Sequence, residues 1–98
     1  MNINIDSVHF DADKKLIEFI EKKMEKLNKK QNKILGADIK LKLDKATDTQ
    51  NKIAEIKIKV PGEDFFAKKQ SKSFEESVDT TISALEKQLA RYKEKFKK

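Results

Sequence analysis

The residues of this sequence best suited to binding chemistry are its lysines and arginines. They cluster on two segments in which apolar residues recur every three or four positions, as they do on one face of a helix. In residues 73–98 the apolar residues recur every three or four positions, and Lys87, Arg91 and Lys95 lie on the side away from that apolar stripe. The last twelve residues hold six bases and one acid. Rows of cations bind polyanions. We therefore expect an anion-binding ridge here, the alternative being a solvated helix end that complements the helix dipole.

A second helical segment, residues 11–33, sorts its charges in the same way. The acids Glu18, Glu21 and Glu25 group opposite the apolar stripe. The lysines group on the neighbouring flank, which holds Lys15, Lys22, Lys26, Lys29 and Lys33, with Lys23 and Lys30 nearer the core edge. Pairs of Glu and Lys four residues apart explain only two of these lysines. A one-sided basic flank therefore favours an anion that lies along it.

Residues for covalent or metal catalysis are scarce. His9 is the only histidine and there is no cysteine, which rules out the usual Ser-His and Cys-His arrangements, disulfides and metal sites built from several histidines. The two glycines, Gly36 and Gly62, are too far apart to form a phosphate-binding loop. The acids form no compact metal loop. We predict a binding protein rather than an enzyme, with no metal, cofactor or small-molecule substrate.

Length and composition predict one folded domain, residues 1–98. Charged residues make up 41% of the chain and hydrophobic residues 37%, but the hydrophobic residues are periodic, which distinguishes the chain from a disordered one. The formal net charge of +6 favours a polyanionic partner, most commonly nucleic acid. The N-terminus does not resemble a signal peptide and no stretch approaches eighteen apolar residues. We therefore expect no membrane association and a cytoplasmic location.

Periodicity divides the chain into four strands and two helices. The predicted elements are a strand early in residues 1–10, a helix over 11–33, strands over 37–44, 52–60 and 63–70, and a helix over 73–98. Gly36 is expected to end the first helix or to lie in the loop after it, and Leu43 is expected to face the core with the other apolar residues of its strand. In the fourth strand Phe65 is the preferred inward residue, with Phe66 as the alternative.

The order β-α-β-β-β-α predicts an α+β fold. Asp11 or Asp13 can cap the first helix, and Ser73, followed by Glu76, has the pattern of a capping box for the second. Strands one and two are joined through a helix and should be parallel, with a right-handed crossover. Strands two to four should form an antiparallel meander. Because each strand alternates, one sheet face should be wet. We therefore predict a four-stranded mixed sheet with two helices packed on one face.

Several segments of the chain also agree with a known family in order and spacing. The pattern Leu-x-Lys/Arg-Gln-Leu-x-Lys/Arg-x-Lys occurs as Leu85, Lys87, Gln88, Leu89, Arg91 and Lys93. The first-helix pattern Leu-x-x-Phe-x-x-x-Lys-x-x-Lys-Leu occurs as Leu16, Phe19, Lys23, Lys26 and Leu27. The segments SVHFDAD and KIAEIKIKVPG agree as well. Over essentially its whole length the chain resembles the short members of the ribosome hibernation promoting factor, or ribosome-associated inhibitor, family.

The resemblance implies a fold and a function. The fold is similar to the double-stranded-RNA-binding fold with an added first strand. Family members bind the small ribosomal subunit between its head and body, where messenger RNA and transfer RNA bind, and their basic helices lie against 16S ribosomal RNA. The resemblance thus implies a ribosome hibernation factor that inhibits translation in stationary phase or stress. Its partners would be 30S and 70S ribosomes, and it would be monomeric off the ribosome.

Site residues follow from the same resemblance. Carried over by position, and completed with neighbouring lysines of the first-helix flank, the expected RNA-binding residues are Lys22, Lys23, Lys26, Lys30, Lys87, Arg91, Lys93 and Lys95. The family often has an acidic N-cap and small residues at the start of the last helix, where this chain has Ser73, Glu75 and Glu76, which we expect to alter local contacts only. The sequence ends at Lys98, so we expect no C-terminal dimerisation domain of the kind that long members have. Promotion and prevention of 100S ribosome dimers both stay open.

Two alternative functions use other features of the sequence. A general double-stranded-RNA-binding module would use the same basic helices without selecting the ribosome. A protein-interaction module would use the wet sheet face, where Lys40, Lys42, Lys57 and Lys59 form a second basic patch, although lysine on a wet strand is also typical of solvated surface. Tyr92 lies in the apolar stripe, which favours a core position over a contact with RNA bases.

Overall fold

The computed structural model of the protein describes residues 1–31, 34–46 and 49–95. The elements are β1 (Asn2–Ser7), α1 (Lys14–Gln31), β2 (Gly36–Leu43), β3 (Lys52–Val60), β4 (Glu63–Ser71) and α2 (Phe74–Lys95). The predicted order β-α-β-β-β-α and the α+β class are therefore confirmed. Residues 32 and 33 of the predicted first helix, and 96–98 of the predicted second, lie outside the described residues.

The sheet has the strand order β1-β2-β3-β4. β1 runs parallel to β2, as the α1 crossover requires, and the two remaining pairs are antiparallel. The register aligns apolar residues across all four strands: Ile5 lies opposite Ile39, Ile39 opposite Ile56, and Ile56 opposite Ala67. Since side chains on one strand alternate between faces, this alignment gives the sheet one apolar face and one polar face.

Both helices cover the apolar face, as predicted, and form the core with it. The α1 stripe includes Ile20 and Met24, and the α2 stripe includes Leu85 and Leu89; all four side chains are almost completely buried. They pack over Ile56 and its neighbours on the sheet. Burial of a side chain of this size contributes roughly 1.5–3 kcal/mol to stability. This packing fixes the rotation of each helix and therefore decides where its charged flank lies.

Each helix begins at a capping side chain. The Asp13 carboxylate accepts a hydrogen bond of 2.8 Å from the backbone N–H of Leu16, so α1 begins at Lys14 and not at residue 11. At the start of α2 the Ser73 hydroxyl oxygen accepts a hydrogen bond of 3.1 Å from the backbone N–H of Glu76. Of the two caps predicted for α1, Asp13 is thus the one used, and the Ser73 cap of α2 is confirmed.

Two predicted boundary residues are wrong. Gly36 does not end the first helix; it is the first residue of β2, where a Cβ atom would lie 3.2 Å from the Asn2 backbone oxygen in the adjacent β1. Close approach of the two backbones thus explains the glycine. Leu43 does not join the core; 39% of its surface is exposed, because it is the last residue of β2 and pairs with Lys52 beside the β2–β3 turn.

The chain turns sharply between β1 and α1, where the alternation of the sequence shifts. The backbone N–H of Val8 donates a hydrogen bond of 2.9 Å to the Leu41 carbonyl and so extends the contact with β2. His9 then takes a φ of 64°, in the left-handed region that histidine enters more readily than most residues. This turn brings Phe10 onto Phe74, with ring centroids 4.9 Å apart. His9 itself is exposed in this turn.

Hydrogen bonds to Asp44 stabilise the β2–β3 turn. Its carboxylate accepts hydrogen bonds from the backbone N–H of Ala46 at 2.9 Å and from the Gln70 side-chain amide at 2.9 Å. The same amide donates to the Gln50 carbonyl at 2.7 Å, so β4 supports the turn. The hydrogen bond from Ala46, then that from Gln70, and the nearby charge of Lys68 hold the pKa of the Asp44 carboxyl below its usual value, against an opposing contribution from desolvation.

The fourth strand places Phe65 inward and Phe66 outward, which confirms the preferred register. The Phe65 ring meets Tyr92 of α2 edge to face, with centroids 5.5 Å apart. Phe66 lies on the polar face with 53% of its surface exposed. The two-residue turn before this strand, Pro61-Gly62, has a φ of 79° at Gly62, a conformation that glycine adopts without strain.

Candidate nucleic-acid interface

The position of α2 is fixed by hydroxyl groups that sequence reasoning missed. Ser77 and Thr81 are fully buried on the face of α2 that lies on the sheet. The Ser77 hydroxyl donates to the Lys52 carbonyl of β3 at 2.6 Å and lies 2.7 Å from the Ser71 hydroxyl at the end of β4. The Thr81 hydroxyl donates to the Ser77 carbonyl one turn earlier. These contacts fix the N-terminal half of α2 against two strands.

The C-terminal half of α2 is held by two further side chains. The Tyr92 hydroxyl donates a hydrogen bond of 3.0 Å to the Pro61 carbonyl in the β3–β4 turn. The Gln88 amide donates a hydrogen bond of 3.1 Å to the Phe66 carbonyl of β4, which is an edge strand. The Tyr92 ring is buried, as its place in the apolar stripe predicted. The helix that carries the predicted basic ridge is therefore attached to the sheet along its length.

The predicted basic flank of α1 lies beside α2. Lys22 and Lys26 are exposed, whereas Lys23 is half-buried. The Lys23 ammonium group lies 2.8 Å from an Asp79 carboxylate oxygen of α2 and 5.6 Å from the centroid of the Phe19 ring. The aromatic face and the carboxylate both favour a cation at this position. Lys23 is thus held between the two helices, near the core edge where the helical projection placed it.

A second ion pair joins the helices two turns further along. The Lys30 ammonium group lies 3.5 Å from a Glu86 carboxylate oxygen. Both pairs join residues 56 positions apart in sequence, so the two helices run in the same direction and in constant register here. Between the pairs lies a small groove of about 90 Å³. Its lining, which we call the interhelix seam, is Lys23, Lys26, Leu27, Lys30, Asp79, Ile82 and Glu86.

The ridge of α2 lies on a different part of that helix. Glu86 points to α1 and Gln88 points to β4. At roughly 100° per residue, Lys87 therefore projects outward between those two directions, and Arg91 follows one turn later. Both side chains are exposed. Lys93 and Lys95 belong to the last turn of α2, and their side chains lie outside the described residues.

The structure thus brings together some of the predicted site residues and separates others. Lys22, Lys23, Lys26 and Lys30 form one group on α1 beside the seam. Lys87 and Arg91 form a second group on the outer face of α2, and the acids Asp79 and Glu86 lie between the two groups. Sequence reasoning missed both acids. The signal was present, since Asp79 and Glu86 have the same spacing of seven residues as Lys23 and Lys30.

The second basic patch, on the polar face of the sheet, is largely neutralised by acids. Lys42 pairs with Glu55 at 2.8 Å, Lys59 with Asp38 at 3.4 Å, and Lys57 with Asp64 at 3.5 Å. A depression of about 370 Å³ on this face is lined by both acids and lysines, with exposed Phe66 at one side. Cross-strand pairs of opposite charge stabilise a sheet. The sheet face therefore presents mixed charge.

The described residues offer no alternative chemistry of the kinds considered above. Over residues 1–31, 34–46 and 49–95, no group of three or more His, Cys, Asp or Glu side chains is arranged to hold a metal ion. Neither helix, over the part that the structure describes, combines the length and the apolar composition needed to cross a lipid bilayer. The basic groups on the two helices are the candidate functional site.

Solved structures with the same fold match nearly the whole chain. A structure described as a ribosomal subunit interface protein from Coxiella burnetii is 28% identical, with a TM-score of 0.85; the match covers 95% of this chain and 98% of that one. The crystal structure of the Thermus thermophilus Protein Y N-terminal domain is 24% identical, with a TM-score of 0.80, and the match covers 94% of this chain and 99% of that one. At this lower identity the likeness shows the fold alone.

Sequence comparison identifies the family. A search of curated protein sequences found no match. Residues 3–97, however, match the family described as "Sigma 54 modulation protein / S30EA ribosomal protein". This match confirms the resemblance that the two helix patterns indicated, and it includes both helices and all of the four strands except the first residue of β1. The chain belongs to the Sigma 54 modulation protein / S30EA ribosomal protein family.

Proposed function

We propose that this protein binds the ribosome and represses translation as a hibernation factor. The observation that carries the proposal is the family match over residues 3–97. The likeness to a ribosomal subunit interface protein over 95% of the chain supports it. In this proposal residues 1–98 act as one ribosome-binding domain in the cytoplasm. The domain is monomeric off the ribosome and occupies the decoding channel of the small subunit.

Binding would rest on the basic groups of both helices. The exposed ammonium groups of Lys22 and Lys26, and the exposed cations of Lys87 and Arg91, are placed to neutralise phosphates of 16S ribosomal RNA and to release counterions. Phosphate contacts position a protein without reading base sequence. The full set of proposed RNA-binding residues is Lys22, Lys23, Lys26, Lys30, Lys87, Arg91, Lys93 and Lys95. Selection of the site then depends on shape, for which a rigid fold is suited.

Inhibition would be steric. Because α2 is attached to the sheet by Ser77, Gln88 and Tyr92, the helical face is a rigid surface. A rigid domain lodged in the decoding channel would exclude messenger RNA and transfer RNA without making or breaking a bond. The proposal therefore needs no catalytic residue and no cofactor.

Charge reversal on the α2 ridge tests the proposal. Lys87→Glu with Arg91→Glu lowers the formal net charge from +6 to +2. Each reversal removes an attraction and adds a repulsion of about 1 kcal/mol at contact distance in water. If screening at physiological salt roughly halves the total, affinity for 30S subunits should fall about 30-fold. The measurement is co-sedimentation with ribosomes through sucrose gradients at low and moderate salt.

The control makes the same change in charge outside the helices. Lys45→Glu with Lys72→Glu reverses two exposed residues of a turn and a loop, and it should bind nearly as well as the wild type. A ridge variant that co-sediments like this control would refute the role of Lys87 and Arg91. Equal binding of the wild type to 50S subunits and plain duplex RNA would indicate a general double-stranded-RNA-binding module. Binding that resists ribonuclease would indicate a protein-interaction module.

A further inference from the structure

The interhelix seam contains two carboxylates that a surface built only to attract RNA would not have. Asp79 and Glu86 lie two turns apart on α2, directly opposite Lys23 and Lys30 of α1. Both carboxylates reach solvent, with 56% and 41% of their side-chain surface exposed. Exposed ion pairs of this kind contribute little to folding stability. The main physical effect of the two acids is therefore on the charge that the seam presents to a ligand.

Each carboxylate already occupies a position that an RNA phosphate would take. A phosphate that binds the Lys23 ammonium group must displace Asp79 or lie beside it, and the same holds for Lys30 and Glu86. Lys26 lines the groove between the two ion pairs. Three cations and two anions thus share the seam. A continuous phosphate backbone along it would meet alternating attraction and repulsion.

We propose that Asp79 and Glu86 are selectivity residues of the RNA-binding surface, which disfavour an uninterrupted A-form duplex and leave a folded ribosomal RNA site as the preferred ligand. This inference rests on the proposed function and deepens it. A regular duplex carries phosphates at fixed intervals along its whole length, so some of them must approach the acids. A folded RNA site is irregular, and it can leave a gap there or offer a 2′-hydroxyl or amino donor to a carboxylate. Repulsion against the wrong ligand is a general source of specificity.

A purely structural role for the two ion pairs makes a different prediction. If the pairs only joined α1 to α2, their removal would lower stability slightly and leave the preference among RNA ligands unchanged. Stability and ligand preference can be measured separately on the same variant. The inference therefore depends on the binding measurements, and thermal unfolding serves to show that the variant is folded.

The test compares two isosteric double variants. Asp79→Asn with Glu86→Gln removes the seam acids, and the control, Glu21→Gln with Glu25→Gln, removes two exposed acids from α1 with the same change in net charge. Binding to an A-form RNA duplex of about 20 base pairs, longer than the span of a typical double-stranded-RNA-binding domain, is measured by fluorescence anisotropy over a salt series. Binding to purified 30S subunits is measured by co-sedimentation.

We expect the seam variant to bind the duplex about tenfold more tightly than the wild type at low salt, since each acid removed relieves a repulsion worth a few-fold at contact distance. The slope of log affinity against log salt should steepen by up to about two, because the two carboxylates no longer compete with phosphates for the seam lysines. Affinity for 30S subunits should change by less than about threefold. The control should bind the duplex within about twofold of the wild type, since its charges lie away from the seam.

Each other outcome overturns the inference. Duplex affinity that rises no further in the seam variant than in the control would show that Asp79 and Glu86 act only through net charge. Equal gains for the duplex and for 30S subunits would show that they lower affinity without selecting a ligand. If the wild type itself does not co-sediment with 30S subunits, the proposed function fails first, whatever the duplex titration gives, and the inference fails with it.

Discussion

Replacement of Tyr92 by phenylalanine tests whether this side chain serves the fold or contacts RNA. Its ring is 7% exposed and meets Phe65 edge to face. Its hydroxyl donates a hydrogen bond of 3.0 Å to the Pro61 carbonyl, which connects α2 to the β3–β4 turn. Every described feature of the residue thus points inward. We expect Tyr92→Phe to lower stability and to leave ribosome binding unchanged at temperatures where the variant is folded.

The expected size of the effect follows from these contacts. Tyr92→Phe keeps the ring and removes the hydrogen bond to the Pro61 carbonyl, and about 0.5–1.5 kcal/mol is typical of such a bond. For a domain of this length that loss lowers the melting temperature by about 4–8 °C per kcal/mol. Tyr92→Ala also removes the ring from the core, and by analogy with Phe→Ala it should cost about 3–5 kcal/mol. The edge-to-face pair with Phe65 contributes about 0.5–1.5 kcal/mol beyond its buried area.

Thermal and urea unfolding measure the loss of stability, and co-sedimentation with 30S subunits measures binding. Phe66→Ala is the matched control, because it removes a ring that is 53% exposed on the opposite face of the sheet. Loss of this half-exposed ring should cost about 1 kcal/mol, well below the cost of Tyr92→Ala. If Tyr92→Phe kept wild-type stability and lost ribosome binding, the assignment of Tyr92 to the core would be refuted.

Two further predictions concern polar groups of the fold. Ser77→Ala should lower the free energy of unfolding by about 1–3 kcal/mol, because buried oxygens of β3 and β4 lose their hydroxyl partner; Ser83→Ala, at an exposed position of the same helix, should be close to neutral in the same urea titration. Because the pKa of Asp44 is lower in the folded state, its ionised carboxylate stabilises the fold at pH values above the ordinary pKa of 3.8. This stabilisation is lost as the pH falls through the lower pKa of the folded state. The stability difference between the wild type and Asp44→Asn should therefore shrink below about pH 4, and an equal difference at neutral and strongly acid pH would contradict this origin.

The sequence predicted the fold correctly where the spacing of apolar residues stays regular along a whole element. β3 spans Lys52–Val60, the predicted residues, because apolar and polar residues alternate along it with few exceptions. α2 begins where the Ser73 cap placed it. The errors lie at ends of elements, where periodicity no longer decides. Gly36 has the residue type of a helix stop but lies in β2, where the β1 backbone approaches closely. Leu43 continues the alternation of its strand, but it is exposed at the end of that strand.

The candidate site followed from the sequence only in part, for a physical reason. Periodicity gives the angle of a side chain around its own helix, and it placed Lys23 near the core edge and Lys87 on an outer face. It does not give the shift of one helix along another, which packing on the sheet determines. That shift brings Lys23 to Asp79 and Lys30 to Glu86, 56 residues apart in both cases. The sequence showed two basic helices, but it did not show that acids of one helix would neutralise lysines of the other.

This arrangement changes what the net charge of the chain implies about its ligand. A formal charge of +6 predicts attraction to any polyanion. Attraction of that kind favours all RNA, whereas a factor that must find one site has to discriminate against the rest. The acids of the seam lie between the α1 lysines and the α2 ridge, so they divide one long positive surface into two shorter ones. An RNA ligand that contacts both positive surfaces must therefore keep its phosphates away from the acids between them. This is a requirement on the shape of the RNA as well as on its charge.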